Sequence, residues 1–173
     1  MASIRWLARG ETFRIAACRN LQLAAWYHPP TLEQARKLTG SAEGLRGEHG
    51  SGIALLNMIP GGGLPDFSED VRTELTRAVR SGIYDLGAAH VVLTPGLAGV
   101  AIRAFVSTIL LLGKPKTPQR AFARCPEAAA WLLPLLVAAD PTWRARELAD
   151  AYEAVLAAGG EGGGVDARAT RSR

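Results

Sequence analysis

The groups best able to do chemistry in this chain are His28, His49, His90, Cys18, Cys125, the acid-flanked Ser68 and the run Gly61-Gly62-Gly63. None of the histidines has a carboxylate or cysteine at metal-ligand spacing, and neither cysteine belongs to a CxxC pair, so no metal site is expected. No GxSxG elbow, HExxH or cysteine–histidine signature accompanies them. No catalytic residue and no cofactor-binding residue is therefore assigned, and the chain is expected to be non-enzymatic. Backbone amides of Gly61-Gly62-Gly63 could cradle a phosphate, but the Lys-Ser/Thr that follows a P-loop and the GxGxxG spacing of a dinucleotide fold are both missing. A plain connection between strand and helix is the simpler reading.

The elements that must position these residues follow from periodicity and punctuation. TFRIAACR and LQLAAWYH, separated by Arg19-Asn20, predict a hairpin. Pro29-Pro30 ends its second strand, and Thr31 with Gln34 forms a capping box that opens a helix, which Gly40 and Gly44 are expected to weaken or break. GIALLNMI, from Gly52 to Ile59, and AHVVLT are continuous apolar runs, as expected of strands covered on both faces. Between them Asp66, with Glu69 three residues on, predicts a helix up to Gly82. A helix from Leu97 follows Pro95-Gly96, with Gly113 at its C′ position. QRAFARC reads as the last strand. Pro126 opens a further helix that Pro134 should kink or end, and Asp140-Pro141 caps an amphipathic helix. Leu97 to Leu112 is apolar on nearly every face, and burial against that amphipathic helix, Pro141 to Ala158, is the simplest way to cover it. Trp26 and Tyr27 must face opposite sides of their strand; either could be an exposed anchor, but covering the sheet is the ordinary role.

The expected class is thus α/β: a small mixed sheet of about five strands in the order ββαβαβαβα, helices packed on it, and an added C-terminal amphipathic helix. Residues 1–10 are read as an N-terminal extension, 11–139 as the α/β domain, 140–158 as the amphipathic helix and 159–173 as a flexible Gly/Arg-rich tail. The composition agrees with one globular domain: 173 residues, 48% apolar and 21% charged, without the bias of disordered, collagenous or coiled-coil chains. Twenty Lys plus Arg against 16 Asp plus Glu leave a charge of +4, partly terminal and interleaved with acids, so no nucleic-acid partner is expected. The start lacks the uninterrupted apolar core of a signal peptide, and the longest apolar run is shorter than a bilayer-spanning helix, so a cytoplasmic location and no membrane span are expected.

The opening FRIAACRNLQLAAWYHPPTLEQARKL, the strand GIALLNMI, the unit HVVLTPGLAGVAIRAFVSTILLL and the closing RAFARCPEAAAWLLPLL together resemble the SpoIIAA-like and STAS-like domains. That group includes anti-sigma-factor antagonists and, more distantly, Sec14-like lipid-exchanging proteins; the match is narrower to small myxobacterial-type STAS-like proteins. It covers the chain to about Leu136. The resemblance implies a regulatory module that binds another protein or itself, through loops at one edge of the sheet. Carried onto this chain, the candidate partner-binding residues are Gly61, Gly62, Gly63, Asp66, Ser68, Thr94 and Gly96. Ser68 occupies the stretch that holds a phosphoacceptor serine in the antagonists, but Phe67 and Glu69 flank it, no glycine follows, and its acidic neighbours would repel a phosphate. Its capping role is the simpler expectation. The alternative function is carriage of a lipid or other small hydrophobic ligand, which an apolar pocket of about 300 Å³ or more beneath the Leu97–Leu112 helix would support; an unrecognised enzyme is the third.

Overall fold

The computed structural model describes residues 3–61 and 68–158. The elements are β1 (Arg5–Arg9), β2 (Phe13–Cys18), β3 (Leu21–Trp26), α1 (Leu32–Glu48), β4 (Ala54–Ile59), α2 (Glu69–Ser81), β5 (Gly87–Val92), α3 (Gly96–Gly113), β6 (Gln119–Phe122), α4 (Cys125–Ala139) and α5 (Ala145–Ala157). The fold is α/β as expected, with one strand more than the sequence suggested. Arg5–Arg9, read as an extension, pairs antiparallel with β2 along the sheet edge, with an irregularity between Trp6 and Ala8. Its ends carry Arg5 and Arg9, a charged edge that discourages pairing with another chain.

The six strands lie in sequence order, β1-β2-β3-β4-β5-β6. The first three are antiparallel; β3 to β6 are parallel, joined through α1, α2 and α3. Because the order never reverses, these three crossover helices fall on one face, as crossovers of one hand require. The other face is covered by α4 and α5. Alternation along the strands separates two cores. Phe13, Ile15, Ala24, Trp26, Leu55 and Ala88 face α1, whereas Ala16, Cys18, Leu21, Leu23, Leu56, Met58 and Val91 face α4 and α5.

Local chemistry explains most boundaries. Thr31 and Gln34 close the expected capping box. Helix α1 then runs unbroken through Gly40 and Gly44, which lie exposed, because Ala35, Leu38, Ala42 and Leu45 bury one stripe on the sheet. The two-residue connection at Arg19-Asn20 is present, with Arg19 at φ 55°. Ser68, and not Asp66, occupies the N-cap of α2, accepting from the Val71 amide at 3.4 Å. Gly113 is the last residue of α3, and Lys114 takes the left-handed cap position, φ 46°. Helix α4 continues through Pro134: the proline sits exposed, and the fully buried Leu132 and Leu136 beside it offset its cost of about 3 kcal/mol.

The last helix departs most from expectation. It starts at Ala145, and Asp140 does not cap it; Asp140 instead accepts from the Thr142 amide at 3.0 Å and pairs with Arg19. These contacts, led by the bonds from Thr142, hold the Asp140 carboxyl down at about 2. Helix α5 packs on α4 and on β2 and β3, on the sheet face away from α3. The two helices expected to cover one another are therefore separated by the sheet, and Leu97, Val100, Leu111 and Leu112 of α3 stay exposed. The expected flexible tail, 159–173, lies outside the described residues.

Candidate functional site

Beneath α2 and α3 the crossover layer does not close fully on the sheet, leaving a chamber of about 110 Å³. Its roof is aliphatic and aromatic: Leu75, Ala78 and Val79 from α2, and Ile102, Phe105, Val106, Ile109 and Leu110 from α3. His28, Pro29, Pro30 and Gly61 also border it. No Asp, Glu, Lys or Arg is found among the described residues that line it.

The floor is different, because four neighbouring strands each place one polar side chain there. Trp26 comes from β3, Asn57 from β4, His90 from β5 and Gln119 from β6. Asn57 and His90 are register partners; Trp26 and Gln119 stand diagonally to them, two residues from the partners of Asn57 and His90. The four side chains form one directed chain of hydrogen bonds. Trp26 Nε1–H can only donate, and it donates to Asn57 Oδ1 at 2.7 Å. That fixes the Asn57 amide, so Asn57 Nδ2 donates to His90 Nδ1 at 3.1 Å. The imidazole proton is then on Nε2, which donates to Gln119 Oε1 at 3.3 Å. Burial pushes the His90 pKa below its ordinary value, with the Gln119 bond opposing, so the ring is neutral near pH 7.

The direction of this chain decides what the floor can offer. Both nitrogens of His90 are occupied, so neither is free to move a proton to or from a bound molecule. The Gln119 NH₂ has no hydrogen-bond partner among the described residues, and one Asn57 N–H is also unused. What remains under the apolar roof is three N–H donors, beside one spare lone pair on each of Asn57 Oδ1 and Gln119 Oε1. A second knot borders it: the Tyr84 hydroxyl donates to Gln22 Oε1 at 2.7 Å, and Gln22 Nε2 donates to Ser41 Oγ at 2.8 Å and to the Leu38 carbonyl at 3.2 Å. Burial raises the Tyr84 pKa, keeping the phenol protonated.

The candidate loop residues are brought together in part. Leu93 N–H donates to the Ile59 carbonyl at 2.9 Å, so the chain leaves β4 and β5 side by side. Gly61, Thr94 and Gly96 therefore lie along one edge of the sheet, and Ser68 caps the helix that follows β4. Gly62, Gly63 and Asp66 lie outside the described residues. Gly96 opens α3 at φ 66°, a backbone conformation that favours glycine.

Sequence spacing gives His90 no partner and does not single out Asn57 within GIALLNMI. A lone amide in an otherwise apolar buried strand was the available signal, since such a group needs a partner on a neighbouring strand. Trp26 faces the chamber, whereas Tyr27 faces the other core and donates to the Leu156 carbonyl at 3.0 Å, so neither is an exposed anchor. His49 is the C-cap of α1. Cys18 and Cys125 are both buried free thiols on the α4–α5 side. Among the described residues no three His, Cys, Asp or Glu side chains form a group able to hold a metal ion. Compared with protein-family models, with curated proteins and with solved structures, the chain matches none.

Proposed function

We propose that the protein is a non-enzymatic binding protein for a small, uncharged, largely apolar molecule carrying one hydrogen-bond acceptor, such as a carbonyl or ether oxygen. The observation that carries this is the chamber itself: an aliphatic roof over a polar row in which three amide N–H groups have no partner among the described residues while each amide oxygen already accepts one bond, with no ionic side chain among its described lining. An ionised ligand would enter without a counter-charge, at a cost of several kcal/mol. At about 110 Å³ the chamber is smaller than the roughly 300–1,000 Å³ of drug-sized sites and closer to the roughly 150 Å³ cavity that admits a benzene ring. This favours a single ring or short chain over a two-chain lipid. The chamber falls short of the roughly 300 Å³ expected of a lipid carrier, so carriage is proposed here only for a smaller cargo.

The test is a thermal-shift titration with cyclohexanone and its hydrocarbon counterpart, methylcyclohexane, on the native chain and on Ala78→Phe, which fills the roof. Ligand at a hundred times its Kd should stabilise the native chain by about 2.7 kcal/mol, and the filled variant not at all. Equal stabilisation of both proteins would place binding elsewhere.

A regulatory protein-interaction module of the STAS-like type is the second reading. It is supported by the shared edge at which Gly61, Thr94 and Gly96 lie. If Ser68→Glu and Ser68→Ala bind a partner equally, phosphorylation plays no part in it.

A further inference from the structure

We infer that the outer face of α3 is a docking surface for an anionic lipid bilayer. A helix covering a sheet in water ordinarily turns charged side chains outward. Helix α3 does the reverse. Leu97, Val100, Ala104 and Leu111 recur at helical spacing along its solvent side with Leu112 beside them, and Leu97 is 89% and Leu111 76% exposed. Ser107 and Thr108, also exposed on this side, are uncharged.

The opposite side is engaged. Ile102 and Ile109 are buried under it, and Gly113 sits so close to α2 that a Cβ there would overlap Val79. At 18 residues α3 extends past the apolar run read from the sequence and, against that expectation, is long and apolar enough to cross a membrane by length and composition alone, but its inner side roofs the chamber. It can therefore meet a bilayer lying flat, with its apolar stripe at the headgroup–acyl boundary.

Charge selects the occupant. Between Asp85 and Glu127 the chain has no acidic residue and carries Arg103, Lys114, Lys116, Arg120 and Arg124. The exposed Leu111–Leu112 pair is edged by exposed cations: Lys114 follows in the chain, Arg80 of α2 donates to the Leu112 carbonyl at 3.4 Å, and Lys116 packs beside Gly82 at the end of α2. A second copy paired through a two-fold axis at the Leu111–Leu112 pair would set this basic rim against itself. An anionic surface complements both the leucines and the rim, with each Lys or Arg near it strengthening attraction about fivefold.

The test is co-sedimentation of the full chain with phosphatidylcholine vesicles, with and without phosphatidylserine. Binding should require phosphatidylserine and weaken with salt. Leu111→Glu/Leu112→Glu should lose at least tenfold in affinity, and Lys114→Glu/Lys116→Glu, which removes two cations and adds two anions, at least about 25-fold. These positions are exposed, and thermal unfolding of each variant checks that the fold persists. Ala78→Phe, which blocks the chamber, should bind vesicles as the native chain does, so failure of either proposal is distinguishable from failure of the other. The inference is overturned if neither vesicle binds, if either double variant binds unchanged, or if the leucine variant instead converts a stable dimer to monomer without any vesicle binding.

Discussion

Asn57 and His90 stand opposite one another on parallel neighbouring strands, and the Asn57 amide donates to His90 Nδ1 over 3.1 Å. Since Trp26 fixes the amide, this one contact sets the tautomer of the imidazole and, through it, which atoms of the floor remain free for a ligand.

The same contact predicts a pH dependence. The folded pKa of His90 is lowered, so the unfolded chain takes up a proton near the ordinary value of 6.5 that the folded chain refuses. Stability should be unaffected by this group above that pH and should fall as pH drops from about 6.5 toward the folded value. Urea unfolding between pH 5 and 8 measures it. His90→Gln, which can still accept from Asn57, should flatten the slope.

Trp143 anchors the α4–α5 connection. It is fully buried, donates through Nε1 to Asn20 Oδ1 at 2.8 Å, and lies under the Arg19 guanidinium, 4.7 Å from its ring. Trp143→Ala should cost about 3–5 kcal/mol in chemical denaturation. Removal of all residues from Asp140 onward should produce aggregation, because Leu148, Ala151, Tyr152 and Val155 would no longer cover their side of the core.

Gly113 sets the distance between α2 and α3. Gly113→Ala places a methyl against Val79, its Cβ 2.9 Å from that of Val79, and should cost about 1–3 kcal/mol as the helices move apart. Gly40→Ala, at an exposed position with open space around it, should instead stabilise α1 by about 0.5–1 kcal/mol. Thermal unfolding of the pair gives the contrast.

Burial holds both thiols up, to about 11 for Cys18, where Glu147 adds to the effect, and to about 11 for Cys125. At pH 8 the thiolate should be about a hundredfold scarcer than for an ordinary cysteine. Reaction with Ellman's reagent should accordingly be slow in the native protein and fast in urea.

The hairpin, the Thr31–Gln34 box and the two central strands were legible because each depends on near neighbours in sequence: a turn pair, a three-residue cap, an uninterrupted apolar run. Strand β1 was not, since Arg5-Trp6-Leu7-Ala8-Arg9 mixes exposed and half-buried positions at an edge and shows no clean alternation. The apolar content of α3 was legible, but not the face of the sheet it would take, because hydropathy measures how much surface needs covering and does not say by what. Pairing α3 with α5 was the wrong inference for that reason. The chamber was the least legible feature. Its floor draws one residue from each of four strands, and none of Trp26, Asn57, His90 or Gln119 is unusual until the register aligns them.

The most direct measurement is a titration of the labelled protein with cyclohexanone, followed at the side-chain amide resonances of Asn57 and Gln119 and at the ring nitrogens of His90. Binding as proposed shifts the Gln119 NH₂ and the His90 ring together, with one saturation curve that Ala78→Phe abolishes. Resonances at these three residues that stay still while the ketone perturbs other parts of the protein, or that move identically in the filled variant, would contradict it.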